Sequence, residues 1–230
     1  MKGIVREYGV VLIAALAAAF VMKAFVVDAV VIPSRSMERT LLEGDYVLMS
    51  KMISHDGAPP SGLPSGDPSV ADVSPIKKVL SPAIQRGDVV VFDLPPGCGI
   101  DESGLFVKRC VARGGDEVSF RGARVCVPYK GLIVHLNSAN LPVWEPVIQG
   151  EGHAIATGAA GGIEIDGIRT DTYTVRKDYL FVAGDNRDHS YDSRSWGFLP
   201  AENVVGRVLM VYWSMDGSHV RWDRIGSLVH

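Results

Sequence analysis

Cysteine is scarce in this chain of 230 residues. Cys98, Cys110 and Cys126 are odd in number and form no CxxC, so neither a zinc knuckle nor a disulfide framework is signalled. One bridge, Cys98 to Cys126, stays open as an option. The six histidines are dispersed and no HExxH occurs, which favours ordinary surface or core histidines over metal ligands. Basic charge is not in excess either: 23 Lys and Arg are scattered among 26 Asp and Glu, for a net charge of -3. The basic stripe that tracks phosphates is therefore missing, and nucleic acid is not an expected partner. Internal repeats are absent, and no stretch of helical hydrophobic period follows the N-terminal region.

What the chain does have is apolar residues, 47% of the total, enough for one substantial core. From Gly9 to Met22 no charge occurs; Lys23 interrupts and AFVV resumes. About 19 such residues make roughly 28 Å of helix, the length that crosses a bilayer. A cleavable leader and a retained anchor both fit that length. The anchor is favoured because a lysine followed by more apolar residues suits snorkelling at the far interface better than a leader's apolar region. Positive charges are nearly balanced on the two sides, so charge alone leaves the orientation open. After Lys51 the composition shifts. Residues 52–83 carry Pro59, Pro60, Pro64, Pro68, Pro75 and Pro82 among Gly and Ser, which predicts a loop, since proline lacks the N–H that a ladder or helix needs. Short β-branched runs headed by turn residues come before and after it: GDYVLM at 44–49, GDVVVF at 87–92, LFVKRCVA at 105–112, DEVSF and ARVCV around 121–122, YLFVAG at 179–184 and GRVLMVYW at 206–213. They predict a mostly β, antiparallel domain.

Two features of this framework carry chemistry. In an extended chain, residues two apart share a face, so VVIPSRSM would present Ser34 and Ser36 together. The same rule aligns Phe106, Lys108 and Cys110, with Val107 and Arg109 opposite. A lysine on the apolar side of a strand is desolvated, which lowers its pKa by disfavouring the charged form. A neutral amine is a base, and beside a serine hydroxyl it can take the proton that a Ser-His-Asp triad gives to histidine. Taken singly, each residue also fits a plain role, with Lys108 snorkelling from an edge strand and the serines capping a turn.

Four blocks in order change that balance: IPSRSMERTL at 32–41, RGDVVVF at 86–92, FVKRCVARGGDEV at 106–118 and GDNRDHSYDSRSWGFLP at 184–200. Together with the apolar anchor, they resemble the bacterial type I signal peptidases, membrane-bound serine-lysine proteases that remove signal peptides from exported proteins. The resemblance implies an antiparallel β-sheet catalytic domain of that type at 32–230, behind one N-terminal transmembrane helix within 1–31. It implies Ser36 as nucleophile, Lys108 as general base and Ser34 as a donor to the oxyanion hole. Ser190 would orient the lysine amine, and Asp192 with Arg194 would form an ion pair supporting that loop. Ile32, Pro33, Met37, Leu41, Phe106 and Val107 would line shallow pockets for small side chains. No cofactor or metal is implied. The partners would be pre-proteins carrying signal peptides and the lipid bilayer, with the export translocon as a further candidate. The location would be the bacterial inner membrane, with the N-terminus cytoplasmic and the catalytic domain outside.

This chain departs from the family pattern at Arg35, where glycine is usual, and at Arg39, where proline is usual; Arg35 should point away from Ser36. Residues 129–170 match no block and are expected to form a variable subdomain. Other readings of the dyad are a conjugative-transfer maturation peptidase and a self-cleaving repressor, the latter disfavoured by the anchor. A membrane-tethered scaffold is the non-enzymatic alternative. GGDEV at 114–118 echoes a diguanylate cyclase signature without that fold's helices. The acidic run DNRDHSYD lacks calcium-loop spacing, and His189 reads as a loop histidine rather than a triad member.

Overall fold

The computed structural model describes residues 11–13, 15–16, 23, 26–53, 83–95, 98, 104–157 and 162–230. Most of the expected anchor and most of the Pro/Gly-rich segment lie outside the described residues. Residues 11–13 and 15–16 are helical, and among the described residues no helix is long and apolar enough to cross a membrane.

Strands arise at each of the expected β-branched runs, and further strands not foreseen there form at 27–31, within 133–174, and at 199–200 and 219–220. In chain order they are β1 (Val27–Val31), β2 (Asp45–Ser50), β3 (Val89–Asp93), β4 (Leu105–Arg113), β5 (Glu117–Phe120), β6 (Ala123–Cys126) and β7 (Ile133–His135). Helix α1 (Leu141–Gly150) follows, then β8 (Ile155–Thr157), β9 (Ile163–Ile165), β10 (Ile168–Arg169), β11 (Thr172–Thr174) and β12 (Tyr179–Ala183). A one-turn helix α2 (Ser193–Trp196), β13 (Leu199–Pro200), β14 (Val204–Asp216) and β15 (His219–Val220) complete the described strands, and 3-10 turns form at Arg35–Met37, Arg187–His189, Ala201–Asn203 and Trp222–Arg224. The main sheet is antiparallel and runs β1-β2-β14-β3-β4-β12-β13, with β15 paired to β14.

Strand β3 shows how the sheet divides its core. Its first four residues are all buried, and alternation sends them to opposite faces. Val89 and Val91 join Ile32, Met37, Leu41, Val47 and Val107 on one side; Val90 and Phe92 join Cys110, Val182, Trp196 and Leu199 on the other. A third cluster unites the β5–β6 hairpin with residues 129–175, including Val134, Trp144, Ile148, Ile163 and Tyr173. The segment that matches no block thus builds its own apolar centre against Phe181 and Phe198.

Helix α1 corrects the expectation of no helix beyond the N-terminal region. Pro142 sits in its first turn, where the missing N–H is harmless, and Val143, Trp144, Val147 and Ile148 form its buried stripe. Pro146 hid that stripe by standing inside it. The bond it cannot make would have ended on the Pro142 carbonyl, which instead accepts Arg121 Nη1 at 2.7 Å. Cys98, Cys110 and Cys126 are all free thiols, so the optional Cys98–Cys126 bridge is not formed.

Candidate active site

The turn that carries Ser34 and Ser36 is not the extended strand that alternation suggested. Ser34 is extended (φ -142°, ψ 163°) and precedes a one-turn 3-10 helix, Arg35–Met37. That turn still brings the hydroxyls together, with Ser34 Oγ 3.3 Å from Ser36 Oγ. Arg35 points outward, 72% exposed, and pairs with Glu43 at 3.5 Å.

Lys108 comes from β4, 72 residues away, and its Nζ donates to Ser36 Oγ at 2.9 Å and to the Val107 carbonyl at 3.1 Å. Lys108 is 4% exposed and Ser36 8%. Burial pushes the Lys108 ammonium down to about 8, against the opposing pull of the nearby Asp192 carboxylate. Removing water from a cation without giving it a contacting anion has this effect. Cys110, two residues along the strand, is driven the other way, up to about 12, chiefly by the same desolvation. Its thiol is chemically quiet.

The loop following β12 closes over the pair. Asn186 donates its backbone N–H to the Ser36 carbonyl at 3.0 Å and its Nδ2 to the Arg35 carbonyl at 3.1 Å. Asp192 is fully buried and accepts from Arg194 Nε at 2.8 Å, Arg194 Nη2 at 2.9 Å and the Gly184 N–H at 2.9 Å. Burial alone would raise its pKa; these donors outweigh that and hold the carboxyl below its ordinary range. The expected bond from Ser190 to the lysine amine is not formed. Ser190 Oγ is buried and makes no hydrogen bond of ordinary geometry, yet it helps to lower the Asp192 pKa, and the Val107 carbonyl holds the amine instead.

Among the expected pocket residues, Ile32, Met37, Leu41 and Val107 are buried in one apolar cluster, while Pro33 and Phe106 retain accessible surface. The Phe106 ring centroid lies 5.9 Å from Lys108 Nζ. Strand β4 pairs with β3 along Leu105–Arg109, but β12 meets it only from Arg109 onward. Among the described residues, the edge of Leu105–Lys108 opposite β3 has no strand partner.

Sequence reasoning missed the residues that fix this arrangement. Arg109 forks onto Asp185, with Nε to Oδ1 at 2.9 Å and Nη2 to Oδ2 at 2.7 Å. Its guanidinium also reaches Thr40 Oγ1 at 2.9 Å and the Gly87 carbonyl at 2.6 Å, and Thr40 Oγ1 donates to Asp185 Oδ2 at 2.6 Å. Burial would raise the Asp185 pKa, but Arg109 and Thr40 keep it low. Arg109 and Asp185 stand next to quoted features, Lys108 and Gly184, yet nothing local announces a pair 76 residues apart.

Comparison with known proteins adds an independent line. A family model described as "Signal peptidase, peptidase S26" matches residues 5–213. The signal peptidase I of Aquifex aeolicus is 28% identical, over 84% of this chain and 78% of its own. The signal peptidase I of Helicobacter pylori strain 26695 is 30% identical over 87% and 85%, and that of Haemophilus influenzae 25% over 90% and 69%. With a match over nearly the whole length, and a buried serine and lysine brought into contact from distant segments, the chain belongs to the signal peptidase family, peptidase S26, and is a serine peptidase.

Proposed function

We propose that this protein is a membrane-bound signal peptidase that cuts signal peptides from exported pre-proteins after small residues, using Ser36 as nucleophile and Lys108 as general base. The observation that carries the reading is the 2.9 Å contact between Lys108 Nζ and Ser36 Oγ, in a site dry enough to bring the amine to about 8. A substrate strand laid along the free edge at Leu105–Lys108 would gain main-chain hydrogen bonds, with Pro33 and Phe106 leaving room for small side chains over the apolar floor. Ser36 Oγ bonds to the scissile carbonyl carbon while its proton passes to neutral Lys108. The ammonium returns that proton to the leaving amine, and the freed lysine then activates the water that hydrolyses the acyl-enzyme. Ser34 Oγ and the Ser36 N–H would face the negative charge on the carbonyl oxygen in the transition state. Anchoring by the N-terminal apolar segment, with the catalytic domain outside the inner membrane, belongs to the same proposal, as does a translocon encounter during export.

Cleavage of a model pre-protein in detergent, with the cut site read by mass spectrometry, tests this reading. Ala or Gly immediately before the cut should be accepted and Phe or Leu should block it; efficient cutting after large residues would defeat the assignment. Ser34→Ala is expected to lower kcat by roughly 10²- to 10³-fold with KM little changed, the usual cost of losing an oxyanion donor. Normal turnover with weakened binding would make Ser34 a structural hydroxyl only.

A further inference from the structure

The turn that carries Ser36 is held at two points. Asn186 grips its beginning through the Arg35 and Ser36 carbonyls. Its end is gripped at Thr40, where two separate guanidinium–carboxylate pairs meet. Through its hydroxyl, Thr40 joins the Arg109–Asp185 pair, which is rooted on the residue next to Lys108. Its carbonyl accepts Arg224 Nη2 at 2.9 Å.

Arg224 is itself fixed. Its guanidinium donates to Asp45, with Nε to Oδ1 at 3.0 Å and Nη2 to Oδ2 at 2.6 Å. Asp45 is fully buried and also accepts Ser214 Oγ at 2.6 Å and the Leu42 N–H at 2.8 Å. Burial alone would raise the pKa of this carboxyl; the donors from Arg224, Ser214 and Leu42 reverse that. An ion pair whose carboxylate is fully buried with both oxygens used is a stiff element, because the arginine cannot leave without stranding that charge. One residue thus receives the register of β2 through Arg224 and the register of β4 through Arg109.

From this geometry we infer that Arg224 is a positioning residue for catalysis: by holding the Thr40 carbonyl from the Asp45 side, it sets where the Ser36 hydroxyl stands relative to the Lys108 amine. The inference rests on the dyad reading given above. A general base must lie within hydrogen-bond reach of the proton it removes, and misplacement by about 1 Å can cost on the order of a hundredfold. Arg221 provides an internal comparison. It belongs to the same segment and donates to Ser214 Oγ at 2.9 Å and to the Glu43 and Met215 carbonyls at 2.5 Å each, but it does not touch Thr40.

The test uses the full chain in detergent, with active sites counted by a covalent serine probe and turnover referred to labelled sites. Arg224→Lys keeps the charge but cannot fork onto Asp45 while reaching Thr40. It should lower kcat per labelled site about tenfold, leave KM within about twofold, and slow labelling itself. Arg221→Lys should lose comparable thermal stability with kcat per labelled site unchanged. Equal kcat for Arg224→Lys and wild type, or equal kcat losses in both arginine variants, would overturn the inference. Should Arg224→Lys not fold, Asp45→Asn is measured in its place against the same expectation. If that variant also fails to fold, the network is a folding element and the positioning role falls. A wild-type enzyme that the probe does not label at Ser36 would instead remove the dyad reading.

Discussion

Lys108→Met is expected to abolish signal-peptide cleavage and at the same time to stabilise the folded enzyme at pH 7. Both effects have one cause. Lys108 is 4% exposed, and its amine titrates near 8 in the folded protein, against about 10.4 for an unperturbed lysine. Below pH 8 the folded enzyme must hold a desolvated cation that the unfolded chain hydrates freely, at a cost of roughly 3 kcal/mol. Between pH 8 and about 10.4 the unfolded chain binds the proton while the folded one has released it, so the wild-type penalty shrinks as pH rises. The melting-temperature advantage of Lys108→Met should therefore be full at pH 7 and fade above pH 8. With Lys108 as the proposed base, the proton lost over the same range is the one that limits catalysis. About a tenth of the amine is neutral at pH 7 and half at pH 8, so kcat/KM should climb with pH through an apparent pKa near 8. Lys108→Arg keeps a cation that cannot deprotonate in this range and should be as inactive as Ser36→Ala. A tenth of wild-type cleavage surviving in Lys108→Arg would exclude Lys108 as the base. An unchanged melting profile for Lys108→Met would contradict the desolvated amine.

Gly184→Ala is expected to lower kcat/KM by about 10²- to 10³-fold in a protein that still folds. Gly184 does not stand in the left-handed region, so alanine's backbone preferences are no obstacle. The obstacle is space. A methyl at this position would lie 2.2 Å from Ser190 Oγ, 2.5 Å from Ser190 Cβ and 2.5 Å from the Ser36 carbonyl oxygen. Relief requires the loop to retreat, and that loop carries the Asn186 and Asp192 contacts that close over the dyad. The turn that carries Ser36 would shift with it, and catalysis is steeply sensitive to such displacements. Double substitution with Ser190→Gly removes two of the three clashes but leaves the one with Ser36, so activity should stay low. Kinetics paired with near-ultraviolet circular dichroism decide the matter. More than a tenth of wild-type kcat/KM in Gly184→Ala would show that the loop is not packed rigidly onto Ser36.

By itself, the sequence determined the parts of this protein that depend on neighbours along the chain. Alternation and β-branching placed β2, β3, β4, β12 and β14 almost where the structure has them, because strand formation reads out period-two burial within a few residues. The blocks around Ser36, Lys108 and Ser190 made the peptidase family legible, since each block is a local pattern and only their order had to be recognised. Helix α1 escaped notice because Pro146 interrupts its apolar stripe, and the carbonyl that Pro146 leaves unbonded is satisfied by Arg121, a partner from the hairpin.

Tertiary structure alone decided how the site is held and tuned. Ser34 and Ser36 approach through a 3-10 turn, a choice coupled to the Asn186 contacts 151 residues ahead of Arg35. Gly184 stands in sequence only as the join between a β-branched run and the last block, yet in the fold it matters because nothing larger fits between Ser190 and Ser36. The Arg109–Asp185 and Arg224–Asp45 pairs join residues 76 and 179 positions apart. The basicity of Lys108 depends on how far the fold around it excludes water. Desolvation and ion pairing are properties of what surrounds a group in space, and the chain records that only after it has folded.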